Sequence, residues 1–200
     1  YIDDRYKILV NHKHRVNPNL LINTHYEKIS DKDYYNDFGT GIANVSTTYG
    51  SRYIEAIYEY NNWKVYGEFL GYQTFDKSLT SEAEPYDLLP KIENSKRWNG
   101  DLANFDIWTS ITEWDHDYET KVDGTRSDFQ FGVDKTFLMK GLTITPRLKL
   151  QHTQYNLENQ VAGYSSSPSK TIPTLSLNSE MVFSKEIQNS NLVHQIKPRL

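Results

Sequence analysis

The chain has 200 residues, of which only 37% are hydrophobic while 14% are aromatic (15 Tyr, 8 Phe, 4 Trp), and its formal net charge is -4. That aromatic load argues against disorder, and the acidic balance disfavours a nucleic-acid binder that works through a basic surface. No apolar run approaches the roughly 18 residues of a membrane-spanning helix, but a membrane-spanning β-strand needs only every second residue to be apolar.

Period-two alternation recurs along the chain, whereas helical periodicity is nearly absent. It predicts ten strands: 4–16, 19–29, 46–60, 63–74, 85–93, 101–114, 125–136, 142–155, 171–185 and 192–200. In the second, Leu20, Ile22, Thr24 and Tyr26 alternate with Asn23, His25 and Glu27. In the sixth, Phe105, Ile107, Thr109 and Ile111 alternate with Asn104, Asp106, Trp108, Ser110 and Thr112. The eighth sets Leu142, Ile144, Pro146, Leu148 and Leu150 against Thr143, Thr145, Arg147, Lys149 and Gln151. The ninth sets Leu175, Leu177, Met181 and Phe183 against Thr174, Ser176, Asn178 and Glu180. Successive side chains on a strand point to opposite faces, so each segment has one greasy and one wet side.

The connections alternate in length. Short ones fall at 17–19, 61–62, 94–100, 137–141 and 186–191, and long polar ones at 30–45, 75–84, 115–124 and 156–170. In an antiparallel up-and-down meander this gathers the tight turns at one end and the long loops at the other, as in outer-membrane barrels. Strands of ten or more residues and abundant Tyr and Trp agree with that reading. A soluble all-β sandwich or lipocalin-like barrel stays open at this point. Pro90, Pro146, Pro173 and Pro198 lie inside predicted strands, where proline cannot donate to the ladder, and are expected to break it locally. The sequence starts at Tyr1, without Met, and ends inside a strand pattern, so it reads as an internal piece of one longer barrel domain occupying 1–200.

Several stretches resemble the LPS-assembly outer-membrane protein LptD family, also called the organic solvent tolerance family. They are Ile29-Ser-Asp-Lys-Asp-Tyr-Tyr-Asn-Asp-Phe-Gly39, Asn62-Trp-Lys-Val65, Tyr72-Gln-Thr74, Pro85-Tyr-Asp-Leu-Leu-Pro90, Gly124-Thr-Arg126, Thr145-Pro-Arg-Leu148, Tyr155-Asn-Leu157, Ile172-Pro-Thr-Leu-Ser-Leu177, Phe183-Ser-Lys185 and Lys197-Pro-Arg199. They follow the family's order across nearly the whole chain. The resemblance implies the first half of a large transmembrane barrel in the outer membrane of a Gram-negative bacterium. Its implied partners are lipopolysaccharide, a plug lipoprotein (LptE), outer-membrane lipids and, through an N-terminal domain, a periplasmic Lpt bridge. Neither nucleic acid nor a cofactor is implied. The chain has no Cys, which says nothing of the family's disulfides, since those cysteines lie elsewhere.

No constellation for covalent chemistry emerges, and the expectation is a transporter rather than an enzyme. His25 and Glu27 share a face, as do His12 and His14, but a zinc site needs three or four ligands. Asp31, Asp33 and Asp37 lack the spacing of an EF-hand and read as turn formers. Ser165–Ser169 reads as a loop tip. The expected lumen wall is Asn23, His25, Glu27, Asn104, Asp106, Ser110, Thr112, Arg147, Lys149, Gln151, Thr174, Ser176, Asn178 and Glu180. Its mixed charge suits water, a plug or a polar head group. The expected lipid-facing set is Leu20, Ile22, Phe105, Ile107, Ile111, Leu142, Ile144, Leu148, Leu150, Leu175, Leu177, Met181 and Phe183. The alternative function is a passive porin or solute-receptor barrel.

Overall fold

A computed structural model describes residues 4–39, 48–186 and 193–199. The protein is all-β, with strands β1 (Lys7–Asn17), β2 (Leu20–Ile29), β3 (Tyr49–Tyr60), β4 (Trp63–Thr74), β5 (Asp87–Asn99), β6 (Asn104–Asp115) and β7 (Asp123–Asp134). There follow β8 (Phe137–Met139), β9 (Leu142–Glu158), β10 (Ser169–Met181), β11 (Phe183–Glu186) and β12 (Val193–Ile196). A short helix, α1 (Tyr34–Phe38), and a 3-10 turn at Ser81–Ala83 lie in the first two long loops. Among the described residues no helix is long and apolar enough to cross a membrane, which has no bearing on strands.

The main sheet is an antiparallel meander in chain order, β1 through β7, then β9 and β10, with β8 paired to β9. It does not close on itself within the described residues. Asn61 and Asn62, both at positive φ (47° and 65°), form the two-residue turn between β3 and β4. Left-handed backbone at both positions matches the twist of the flanking strands, and asparagine tolerates it better than most residues. Tight turns join β1–β2, β3–β4, β5–β6 and β8–β9, and long loops join β2–β3, β4–β5, β6–β7 and β9–β10. The alternation seen in the sequence therefore holds, with two revisions. The stretch 94–99 is the lower half of β5, with the turn at Gly100 to Ala103, and 137–139 of the turn expected at 137–141 is strand β8.

The ninth predicted strand divides at Val182 into β10 and β11, where the Val182 N–H donates to the Gly141 carbonyl. β11 pairs with β12 (Phe183 opposite Ile196), and a bridge between Glu180 and Arg199 keeps the same register below it. Residues 46–47, 187–192 and 200 of the predicted strands and turns lie outside the described residues.

Substantial contacts between elements run only between sheet neighbours, so this is a single layer. Its buried apolar residues are Ile29, Tyr35 and Phe75, a small cluster under the first long loop rather than a core between two sheets. One layer of strands carrying an uncovered greasy flank does not fit the soluble sandwich, whose flanks would meet in a dry interior.

Candidate functional site

Face membership follows from register, because directly opposed residues on neighbouring strands share a face. Tracing the pairs from β1 to β10 places all fourteen residues of the expected polar wall on one side of the sheet. All thirteen expected apolar residues fall on the other side, Phe183 through the register continued from β10. A slip of one residue anywhere in the middle would have sent the two sets to opposite sides across the sheet. Among the described residues the only mid-sheet slip lies at Pro90, where both ladders of β5 shift between Leu88 and Lys91. It spans both neighbours and leaves face membership intact.

Of the other three prolines, Pro146 alone sits at a break. Pro173 pairs with Leu150 without a shift of register. Pro146 stays in register with Leu177 on β10 and interrupts only the other ladder, in the gap between β7 and β8. Pro198 accepts the Met181 N–H and lies between the Ile196 pair and the Arg199 bridge with no change of register.

Near the tight-turn end, the polar face holds a closed ring of two guanidinium groups and two carboxylates from four strands. Arg97 on β5 donates to both oxygens of Asp134 on β7 (3.0 and 2.9 Å) and reaches Asp106 on β6 at 3.4 Å. Arg147 on β9 donates to both oxygens of Asp106 (2.7 and 2.8 Å) and to Asp134 at 3.1 Å. Asn104 adds a donor to Asp134 at 2.9 Å, and Asp134 is 6% exposed. Arg147 reaches β6 by passing over β7 at Gly132, where an added Cβ would sit 2.6 Å from both Arg147 Nη2 and Asp106 Oδ2. Glycine in mid-strand marks this close approach. Sequence reasoning found Asp106 and Arg147 but missed Arg97, Asp134 and Gly132. The glycine, set between Phe131 and Val133 in mid-strand, was the available signal.

Elsewhere the polar face varies in how far it is satisfied. Asn23 donates to Glu55 at 2.5 Å, and Tyr66 donates to the same carboxylate at 3.1 Å. His25 contacts Asn11 at 2.6 Å and stacks on Tyr53 rather than bonding to Glu27. Ser110 and Thr112 are buried between neighbours, and Glu180 pairs with Arg199 at 2.9 Å. By contrast Lys149, Gln151, Thr174, Ser176 and Asn178 have no side-chain partner among the described residues.

At the long-loop end, the first loop folds over the polar face. Tyr35 of α1 donates to Glu27 and accepts from Lys7 (2.6 Å), while its ring packs on Phe75 at 5.2 Å between centroids. Arg5 holds the loop by a two-nitrogen fork on Asp31 (3.0 and 2.8 Å) and a bond to Asp37 at 2.5 Å. Asp33 pairs with Lys77. The three carboxylates of this loop are thus each matched to a cation, and Asp31 also accepts the Asp33 N–H at 3.0 Å in the turn role expected of it. Bonds from Ser30, then Arg5, hold the Asp31 carboxyl below the usual aspartate range, and bonds to Asp37, then Asp31, push the Arg5 guanidinium up. Past the last β2–β3 pair, the Gln73 amide bonds both the N–H and the carbonyl of Ile29, filling the place of the missing strand.

The apolar face is open. Leu175 is 79% exposed and Leu177 62%, and Ile54, Phe69, Ile92, Phe105, Ile111, Phe129, Leu148 and Leu150 extend the same exposed band across the sheet. At its tight-turn end Trp63 and Trp98 meet edge to face at 6.2 Å, with the Lys96 ammonium over both rings at 4.6 and 5.5 Å. Amphipathic rings with a lysine reaching outward are what a membrane–water interface selects. His12 and His14 stack at 5.9 Å on this face too. No cluster of three or more metal-binding side chains occurs among the described residues.

Long antiparallel strands in one layer, segregated turns and loops, and an exposed apolar band backed by a polar face define a stretch of wall from a transmembrane β-barrel of the outer-membrane type. Comparison with known proteins narrows the class. The family model described as LPS transport system D matches residues 3–200. The chain is 28% identical over 186 residues to the LPS-assembly protein LptD of Nitrosococcus oceani, covering 91% of this chain and 25% of that protein. It is 27% identical over 205 residues to the LptD of Hahella chejuensis (98% and 26%) and 30% identical over 186 residues to that of Methylococcus capsulatus (90% and 18%). The chain belongs to the LptD family, and it spans about a quarter of the length of the curated relatives it matches.

Proposed function

We propose that this chain forms part of the barrel of an outer-membrane translocon that, with a plug lipoprotein seated inside, inserts lipopolysaccharide into the outer leaflet. The observation that carries the reading is the separation of faces by register: one flank charged and polar, the other an uncovered apolar band. In this account the apolar band meets lipid and the polar wall lines a wet lumen, because ionised groups turned toward hydrocarbon cost several kcal/mol. The amphipathic cargo divides the same way, with sugars and phosphates in the wet interior and acyl chains kept in an apolar medium. The protein supplies a path and no covalent step. Energy and delivery come from a periplasmic bridge that meets another part of the full-length protein.

Depletion of the full-length protein, followed by measurement of lipopolysaccharide on the cell surface, tests the function. Surface lipopolysaccharide should fall as the protein is lost. An unchanged level, with large steady ion conductance from the reconstituted protein, would support the passive porin instead.

A further inference from the structure

Apolar side chains on the polar face form a cleft at one place. At the long-loop end Tyr86, Trp114, Val122, Tyr155 and Leu157 line a cleft of about 290 Å³, with Arg126 at one side. In the register, Gly124 lies directly between Trp114 and Leu157, and Arg126 between Thr112 and Tyr155. Gly124 has φ of 125°, and a side chain there would collide with the Asn156 carbonyl. Glycine is therefore required by the backbone, and its bareness opens the floor between a Trp and a Leu that would otherwise be separated by a side chain.

The walls are held without any occupant. The Tyr86 hydroxyl donates to the Val122 carbonyl at 2.8 Å, and its ring stands edge-on to Trp114 (6.4 Å, 82°) and 4.7 Å from the ring of His116. His116 is buried, and its two ring nitrogens contact the Glu84 carbonyl and the Tyr118 N–H, both at 3.0 Å. Arg126 faces Asp128 through Nε (2.8 Å) and Nη2 (3.1 Å) and lies 5.7 Å over the Tyr155 ring. Its Nη1 has no partner among the described residues. Trp114 remains 41% exposed.

An acyl chain is a poor match for this cleft, which opens on the polar side beside a guanidinium group, while the apolar flank lies behind the sheet. A sugar ring matches both halves. Its C–H face is electropositive and suits the negative face of Trp or Tyr, and its hydroxyl rim needs polar neighbours. A phosphate or carboxylate on that ring would take the free Nη1 as a charge-assisted donor. We propose that this cleft is a saccharide subsite holding one acidic or phosphorylated sugar ring near the long-loop mouth. The inference rests on the transport reading above for the source of the sugar.

The test uses the full-length protein in living cells, with Val122→p-benzoylphenylalanine as a photo-crosslinker in the cleft and Gln151→p-benzoylphenylalanine on the same face outside it. Ultraviolet light should join lipopolysaccharide to position 122. In a Trp114→Ala background the yield at 122 should fall about two- to tenfold, the range of an aromatic stacking contact. Trp114→Phe should restore most of it, and the yield at 151 should not change, which controls for assembly. Crosslinks to lipopolysaccharide at 151 but none at 122 would overturn the subsite and leave the transport reading standing. A crosslink from 122 solely to another segment of the protein would also overturn it. Absence at both positions would reject the transport reading and the subsite together.

Discussion

Two charge clusters hold the polar face, and they do different jobs with the same side chains. Near the tight turns, Arg97, Asp106, Asp134 and Arg147 link four strands across a bare Gly132, and Asp134 is almost fully enclosed. At the opposite end, Arg5 links the start of the chain to Asp31 and Asp37 in a single loop, where Asp37 is about half exposed. The first cluster joins elements that the backbone ladder already joins, and so stiffens the wall. The second holds a segment with few other ties, and so sets whether the loop lies over the mouth. A charge pair is worth what it excludes from water and what would move without it, rather than a fixed amount.

The wall cluster should break hardest. Gly132→Leu forces Arg147 and Asp106 apart and strands both charges, with an expected loss of about 2–4 kcal/mol from lost pairing and overpacking. Asp134→Ala leaves Arg97 and Arg147 with Asp106 alone between them and should cost about 1–3 kcal/mol. Both are read as a lower unfolding midpoint of the full-length protein in detergent or bilayers, and an unchanged midpoint in both would make the ring ornamental. Arg5→Ala should leave that midpoint unchanged while speeding hydrogen exchange and proteolysis at 31–38. If the midpoint dropped with it, the two clusters would be one cooperative unit.

Acid gives the gentlest probe of the same contrast. Asp31 titrates lower in the folded loop than in an unfolded chain, so its contribution is fully present above the ordinary value of 3.8 and is lost as pH falls through the depressed folded one. Exchange at 31–38 should therefore rise at the acid end of that window, before the strands of the wall respond. Simultaneous opening of wall and loop would contradict the separation.

How far this was legible beforehand depends on how loudly each strand alternates. Leu142 to Leu150 declares two faces outright, and the structure keeps its register through Pro146. The lower half of β5 does not: Asn94, Lys96 and Trp98 share the face that is apolar elsewhere, so a membrane-interface stretch was mistaken for a turn. The polar wall was readable because it needs only parity along single strands. The Arg–Asp ring was not, because it is made between strands, and no single segment shows that Arg147 passes over Gly132 to reach Asp106. The unbroken register at Pro173 and Pro198 was hidden too, because parity along one strand does not show which edge a missing N–H faces. The loop-end cleft was also hidden, as Trp114, Tyr155 and Leu157 come from two strands and face one another across a residue with no side chain.

The central claim is that one flank of this sheet meets hydrocarbon and the other meets water. It is tested most directly by spin labels placed at Phe105, Ile107, Leu148 and Leu150 and at Asp106, Trp108, Lys149 and Gln151 of the full-length protein in bilayers. Collision with oxygen, which concentrates in lipid, should dominate at the first four, and collision with a water-soluble nickel chelate at the second four, alternating residue by residue along each strand. Labels at the first four that neither reagent reaches, as in a dry protein interior, or that the chelate reaches freely, would contradict the account.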